Sequence, residues 1–264
     1  MANTVWWGLR LAAFVVCALA IIPAGAVVLH SPQPLTAGQV KAILATGHPG
    51  TRPNLSGRDL SGLDLTGVAF HGARLDRANL FEAILIGADL SLARMDGVNL
   101  SSVKMDRAKA SGALLRGATF LTTAANANFE GADLSRSSGY LIAPDADMRH
   151  AVIQRAHLAS DLSNQPMGML HTILARANLE GADLSFSDVS FADLGYANFR
   201  KSLARWTNFH GADLSAADFT GADVTGANFA QADLTDTVFV HVRGRSAMRG
   251  LNAARNLDRA IFRR

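Results

Sequence analysis

The sequence predicts a solenoid of five-residue repeats that follows an apolar N-terminal segment. Large apolar residues recur at every fifth position over most of the chain between Leu55 and Phe239, and in its second half the residue two positions before each of them is small. A period of five fits neither an amphipathic helix nor an alternating strand, whereas self-similarity over such a length is typical of repeat proteins. The composition agrees, because 49% of the residues are apolar but only 7% are aromatic, which suits a narrow, closely packed interior.

Residues 1–29 are the first element and indicate targeting to a membrane. The run from Leu11 to Leu29 has no charged residue and has about the length of the roughly 20 residues that a helix needs to span a bilayer. Arg10 precedes it and favours translocation of the chain that follows. A cleaved signal peptide fits equally well, because Pro23 would end the helix and Ala24-Gly25-Ala26 matches a small-x-small cleavage pattern. We therefore expect the repeats either to be anchored in the membrane by residues 11–29, facing the periplasm or exterior, or to be secreted to the periplasm.

Residues 30–50 are predicted to form a linker and a short capping helix. Pro32 and Pro34 favour an extended spacer. Thr36 is a suitable N-cap, and apolar residues recur at helical spacing between Leu35 and Leu44. A solenoid must cover its exposed end, so we expect this helix to lie over the first coil.

The repeats run from residue 51 to residue 241 in two regular blocks with a disrupted middle. The residue before each large apolar one is often Asp or Asn, and the second residue after it is often Gly. Stretches such as Gly211-Ala212-Asp213-Leu214-Ser215 and Gly221-Ala222-Asp223-Val224-Thr225 resemble the pentapeptide-repeat family, whose pattern is A(D/N)LXX. The resemblance implies an all-β fold, a right-handed quadrilateral β-helix with four units in each coil, in which residues 20 apart stack on one face.

The implied stacking sorts two sets of side chains into columns. Five phenylalanines are assigned to two core ladders on opposite faces: Phe199, Phe219 and Phe239 in one, and Phe209 and Phe229 in the other. Three outward aspartates are assigned to a carboxylate column: Asp193, Asp213 and Asp233. Some pentapeptide-repeat proteins present acidic ladders that imitate DNA and bind topoisomerases, so the resemblance makes this column a candidate interaction surface, although most of these aspartates simply follow the repeat pattern.

Two segments interrupt the repeat and are candidate interaction loops, residues 135–146 and residues 159–172. Loops on a rigid scaffold are where binding residues tend to occur. Four side chains in them are candidates for an exposed contact patch: Tyr140, Leu141, Met167 and Met169. The alternative is that these side chains fold back over a coil that is out of register.

Residues 242–264 are predicted to form a basic C-terminal cap. From Val240 to Arg264 the chain has seven arginines and one aspartate. The apolar residues of this segment fit either a final coil or a helical stripe. The arginines could meet the acidic end of the rod, an anionic lipid surface or only solvent, and a homodimer through this cap is a further possibility.

The sequence offers no catalytic or metal-binding constellation. Its one cysteine, Cys17, lies in the apolar N-terminal run, and none of the eight histidines has ligand spacing to another histidine and a carboxylate. Neither a phosphate-binding loop nor a hydrolase motif occurs. We therefore predict a non-catalytic scaffold that binds another protein and has no cofactor or metal. We do not expect it to bind nucleic acid. The alternative is a DNA-mimic regulator of a type II topoisomerase, which requires a cytoplasmic rod.

Overall fold

The structure is a computed structural model that describes residues 34–46, 52–159 and 170–263 of the 264-residue chain. The chain divides into two units, Met1–Ser31 and Pro32–Arg264, and every described residue belongs to the second. The predicted signal or anchor, residues 1–29, therefore lies outside the described residues. Within the described ranges, no helix is long and apolar enough to cross a membrane.

A short helix, α1 (Ala37–Ala45), precedes the solenoid. Thr36 caps it, because its Oγ1 accepts a hydrogen bond from the Gln39 N–H at 3.2 Å while its own N–H donates to Gln39 Oε1 at 2.8 Å. This reciprocal pair is a capping box, which satisfies two backbone donors at the start of the helix. Val40 is completely buried, and the Leu35 N–H donates to the Asp59 carbonyl at 3.1 Å. The helix thus covers apolar surface of the first coil.

The remaining described chain forms a four-sided β-solenoid in which each side of a coil bridges, in parallel, the same side of the next coil. One continuous column of bridged residues consists of Asn54, Arg74, Arg94, Leu114, Asp133, Val152, Asp183, Leu203, Asp223 and Arg243. The backbone bonds run both ways between neighbouring coils: the Leu55 N–H donates to the Arg74 carbonyl at 2.7 Å, and the Arg74 N–H donates to the Pro53 carbonyl at 2.8 Å. This pattern repeats along the sides of the described coils, which therefore present no lateral strand edge of the kind to which another strand could add.

Five extended strands form among the described residues, in two sheets. The strands are β1 (Asn99–Lys104), β2 (Thr119–Thr123), β3 (Ser138–Ile142), β4 (Val238–Val240) and β5 (Ile261–Arg263). Strands β1, β2 and β3 form one parallel sheet in that order, and β4 and β5 form another.

The core of the second block contains two stacks of phenylalanine rings. One stack consists of Phe199, Phe219, Phe239 and Phe262, with ring centroids 4.5, 5.2 and 4.9 Å apart. The other consists of Phe209 and Phe229, 5.2 Å apart. The two stacks meet edge to face at 5.5 to 6.0 Å, an arrangement that aromatic quadrupoles favour. Sequence reasoning did not include Phe262, which extends the first stack into the last described coil.

The segment 135–146 does not leave the solenoid, which corrects the prediction of an exposed loop there. Ser138 lies 19 residues before its bridged partner His157 instead of the regular 20, and the missing residue falls between Ser138 and Ile142. One corner is therefore one residue shorter, and the chain crosses it as the straight strand β3. This places Leu141 on the inside, where it is completely buried, and leaves Tyr140 half-buried.

The insertion in the second irregular segment, 159–172, lies at a single corner. Ile173 bridges Ile142, and His157 bridges Asp188, so partners here are 31 residues apart instead of 20. Residues 160–169, with Met167 and Met169, lie outside the described residues. The end of the segment returns to the core, since Thr172 is buried and its Oγ1 accepts a hydrogen bond from the Leu141 N–H at 3.3 Å.

The basic segment 242–264 forms a coil, not a helix, over its described residues. Arg243, Arg249, Arg255 and Ile261 pair with the preceding coil and are six residues apart. Each added residue is taken up by a 3₁₀ turn at the corner: Arg245–Ala247, Leu251–Ala253 and Leu257–Arg259. The predicted homodimer through this cap stays a prediction.

Candidate functional site

The three aspartates of the predicted acidic column stack in successive coils. Asp193 bridges Asp213, which bridges Asp233. The column is short, because the preceding position is Ile173 and the following one is Arg255. It therefore forms a small acidic patch and not a long anionic ladder.

Each of these carboxylates is already used to hold its own turn. The Oδ1 atoms of Asp193, Asp213 and Asp233 accept hydrogen bonds of 2.9 to 3.1 Å from the N–H two residues later. Burial of Asp233 opposes its ionisation, but hydrogen bonds from Thr235 and Asn256 outweigh that effect and lower its pKa. The repeat thus has a structural reason to keep Asp at this position. No cluster of three metal-ligating side chains occurs in the parts of the chain that the structure describes.

A different surface stands out at the corners of the coils between residues 186 and 206, where aromatic side chains project into solvent. Phe186, Tyr196 and Trp206 are 57%, 68% and 50% exposed, and Phe191 is half-buried. All four have positive φ, between 57° and 63°. In other coils the same turn position is often glycine, such as Gly57 with φ 65°.

These aromatic corners are unfavourable for folding alone. The left-handed conformation costs a side-chain-bearing residue roughly 1–2 kcal/mol, and each ring leaves much apolar surface in water. The left-handed backbone itself recurs at many other corners with side chains, such as Glu82 with φ 59°, so the exposed rings are what set these corners apart. The rings are nevertheless held in place, because Trp206 and Phe191 lie over the glycines one coil later, Gly226 and Gly211, where any Cβ would collide with them.

Arginines flank two of the aromatic rings along one corner of the rod. The Arg155 guanidinium lies 5.9 Å from the centre of the Phe186 ring, and that of Arg249 lies 5.3 Å from the centre of the Trp206 ring. Arg249 is fixed further by its Nε, which donates to the Gly226 carbonyl at 2.8 Å.

These side chains follow one another in successive coils. Asp133, Val152, Asp183 and Leu203 are bridged in turn, and the corner residue lies three positions after each of them. We call the resulting row, completed by Arg249 from the last described coil, the Arg–aromatic edge. It consists of Arg136, Arg155, Phe186, Trp206 and Arg249.

The Arg–aromatic edge is electropositive. Among the described residues, neither Arg136 nor Arg155 has a carboxylate within ion-pairing distance, whereas the neighbouring Arg205 lies 3.4 Å from Asp223. Burial of Asp223 raises its pKa, but the hydrogen bonds from Thr225 and the charge of Arg205 outweigh burial, so the pKa is lower than usual. The ionised carboxylate is partly neutralised by Arg205. The row itself contains no acidic residue.

Sequence reasoning missed this edge because it followed the inward positions. A signal was present: bulky aromatics stand at 186, 191, 196 and 206, five or ten apart, at the turn position where glycine is otherwise frequent. Of the predicted contact residues, Leu141 is buried and Tyr140 half-buried, so they do not form an exposed patch. Neither lies on the Arg–aromatic edge.

Comparison with known proteins agrees with the repeat pattern. The sequence profile of the family described as Pentapeptide repeats matches in eight copies, over residues 51–81, 83–120, 171–200, 197–236 and 212–243. These ranges cover the two regular blocks and leave out the region of shortened corners and the insertion. A search of curated proteins finds no match.

Solved structures with the same repeat resemble this solenoid. HetL, a pentapeptide repeat protein involved in heterocyst differentiation regulation from the cyanobacterium Nostoc sp. strain PCC 7120, is 28% identical and aligns over 86% of this chain and 94% of its own, with a TM-score of 0.52. QnrB1, a plasmid-mediated fluoroquinolone resistance protein, is 19% identical over 75% of this chain and 88% of its own, with a TM-score of 0.36. With its repeats matched over more than half of its length and folded into a four-sided solenoid, the chain belongs to the pentapeptide-repeat family.

Proposed function

We propose that the protein is a non-catalytic scaffold that binds another protein through its Arg–aromatic edge. The observation that carries this proposal is the exposure of Phe186 and Trp206 on one corner of neighbouring coils, each with an arginine beside its ring. Folding gains little from either ring, whereas tryptophan, tyrosine and arginine dominate the energetics of protein interfaces. A structure that keeps such residues exposed at an energetic cost is best explained by a binding role.

The backbone of the solenoid supports binding through side chains. The lateral N–H and carbonyl groups are bonded between coils, as at Leu203, whose N–H donates to the Ala182 carbonyl at 2.9 Å. A partner therefore cannot add a strand to the side of the rod, which is one common mode of peptide recognition. HetL, a similar protein with a regulatory role, offers a precedent for regulation by this fold.

We further propose that the rod is exported or membrane-anchored. The support is the uncharged run from Leu11 to Leu29 preceded by Arg10, which has the length and flanking charge of a targeting segment. Fractionation of a tagged full chain tests this part: recovery in the membrane or periplasmic fraction is expected, and a purely cytosolic pool would overturn it. The acidic column does not favour the DNA-mimic alternative, because its carboxylates are few and are engaged in their own turns.

Site-specific photo-crosslinking tests the binding role directly. A benzophenone amino acid is placed at Trp206 or Phe186 in the full chain, and at Phe81 as a control. Phe81 is 41% exposed but lies outside the Arg–aromatic edge and has no left-handed backbone. We expect a discrete protein adduct from positions 206 and 186 and none from position 81. Equal adducts from all three positions, or no protein adduct from either edge position, would remove the edge as the binding surface.

A further inference from the structure

We propose that the partner of the Arg–aromatic edge presents an apolar pocket rimmed by carboxylates. This inference rests on the proposed binding role and adds the chemistry of the partner. It follows from the shape of the edge, from the placement of its guanidinium groups and from the contacts that its ring faces already make.

The shape of the edge requires a concave partner. Phe186 and Trp206 stand at an outer corner of a four-sided rod, one coil apart, which in a parallel sheet corresponds to about 4.8 Å. More than half of Phe186 and half of Trp206 are exposed. Two rings that project from a convex corner can lose this surface only if they enter a pocket, and tight burial of aromatic anchors is the usual origin of affinity at interfaces.

The charges of the edge require acidic groups at the rim of that pocket. Arg155 and Arg249 lie at the two ends of the ring pair, 5.9 and 5.3 Å from the ring centres. When the rings enter a pocket, both guanidinium groups are brought against its rim and lose water. A charge that loses water needs a partner, and carboxylates match the guanidinium fork with paired hydrogen bonds. A neutral or basic rim would leave both charges uncompensated.

The ring faces argue against nucleic acid as the occupant. Single-stranded nucleic acid binds by stacking its bases on free aromatic faces. Here a guanidinium lies over one face of each ring, and Trp206 also lies against Gly226. Less ring face is thus open to a base than on a bare aromatic platform, which favours insertion into a pocket over stacking.

The test uses the partner that is crosslinked through Trp206 and measures its affinity for variants of the full chain. Arg155→Glu is the informative change, because Arg155 contacts Phe186 and has no carboxylate partner among the described residues. Arg77→Glu is the matched control: Arg77 stands at the same corner several coils away, is exposed and has nearly the same φ, 56° against 55°. Thermal unfolding of both variants verifies that the fold is kept.

We expect Arg155→Glu to weaken binding by about tenfold or more, as loss of a buried charge pair does, and Arg77→Glu to change it less than about twofold. Binding of the unaltered chain should weaken as salt is raised. The crosslinked segment of the partner should contain Asp or Glu, and changing one of them to Arg should restore binding to Arg155→Glu.

Equal affinities for the two variants would overturn the proposed chemistry while leaving the binding role in place. Adducts only with nucleic acid, or only with a second copy of this chain, would overturn it as well. Absence of any protein adduct would overturn the binding role itself, so the two failures are distinguishable.

Discussion

Two features of a position in this solenoid decide which residue it tolerates: whether the position faces the core, and whether its backbone must be left-handed. Gly139 is exceptional on both counts. It pairs with the buried Phe120, at a register position that elsewhere holds a large apolar residue, its φ is 103°, and a Cβ added there would overlap the carbonyl of Phe120. The shortened corner brings two backbones so close that only glycine fits.

Gly139→Ala is therefore expected to destabilise the protein by about 3 kcal/mol, from roughly 1–3 kcal/mol of steric overlap added to roughly 1–2 kcal/mol of left-handed strain. The control is Gly131→Ala, at a corner with φ 65° where a Cβ would meet nothing within 4 Å. Only the strain applies there, so a loss of about 1 kcal/mol is expected. Chemical denaturation measures both. Equal losses would show that the backbone approach at Gly139 is not limiting.

At the scale of elements, the regular coils could be predicted from the sequence, while the shortened corner could not. A strict period of five fixes which residues point inward, and resemblance to the repeat family then places Phe199 and Phe219 in the same stack. A missing residue is different, because two responses are open to the chain. The whole segment can leave the coil as a loop, or the corner can straighten and keep the segment in the coil. Leu141 turns inward under the second solution, and nothing in the local sequence chooses between the two.

The phenylalanine stacks predict a localised response to mutation. Phe219 lies between Phe199 and Phe239 and meets Phe209 and Phe229 edge to face. Phe219→Ala should cost about 3–5 kcal/mol through the cavity that it leaves, and Phe219→Leu clearly less. In a solenoid each coil contacts only its neighbours, so hydrogen exchange should accelerate chiefly between residues 199 and 239. Uniform acceleration from α1 to β5 would contradict this, since it would mean that the rod unfolds as one unit.

At the scale of the molecule, the aromatic corners were missed for a reason that concerns the whole surface. Inward positions obey a rule that the sequence reveals, whereas outward positions vary because solvent accepts almost any polar residue. Phe186 and Trp206 become conspicuous only when the fold shows that they share a corner with Arg155 and that their backbones are left-handed. The aromatic side chains depart from the usual residues of the corner, and this can be recognised only after the fold has shown which positions share a corner.

Acid sensitivity is a property that the whole rod should share, because hydrogen-bonded aspartates with a lowered pKa recur along it. The Ser61 hydroxyl lowers the pKa of Asp59, the Arg116 side chain lowers that of Asp96, and the Arg149 side chain lowers that of Asp147. A carboxyl whose pKa is lower in the folded than in the unfolded state stabilises the fold above the unfolded value, about 3.9 for Asp, and this contribution is lost as the pH falls towards the folded value.

The thermal midpoint should therefore change little on this account between about pH 5 and pH 7 and fall steadily below about pH 4. Asp96→Asn provides the matched variant, because it removes the carboxylate that Arg116 contacts through both Nε and Nη2. It should lower the midpoint at pH 7 and reduce the further loss on acidification, so that the two proteins converge near pH 3. A midpoint that rises on acidification, or curves that stay parallel, would show that these aspartates do not link protonation to folding.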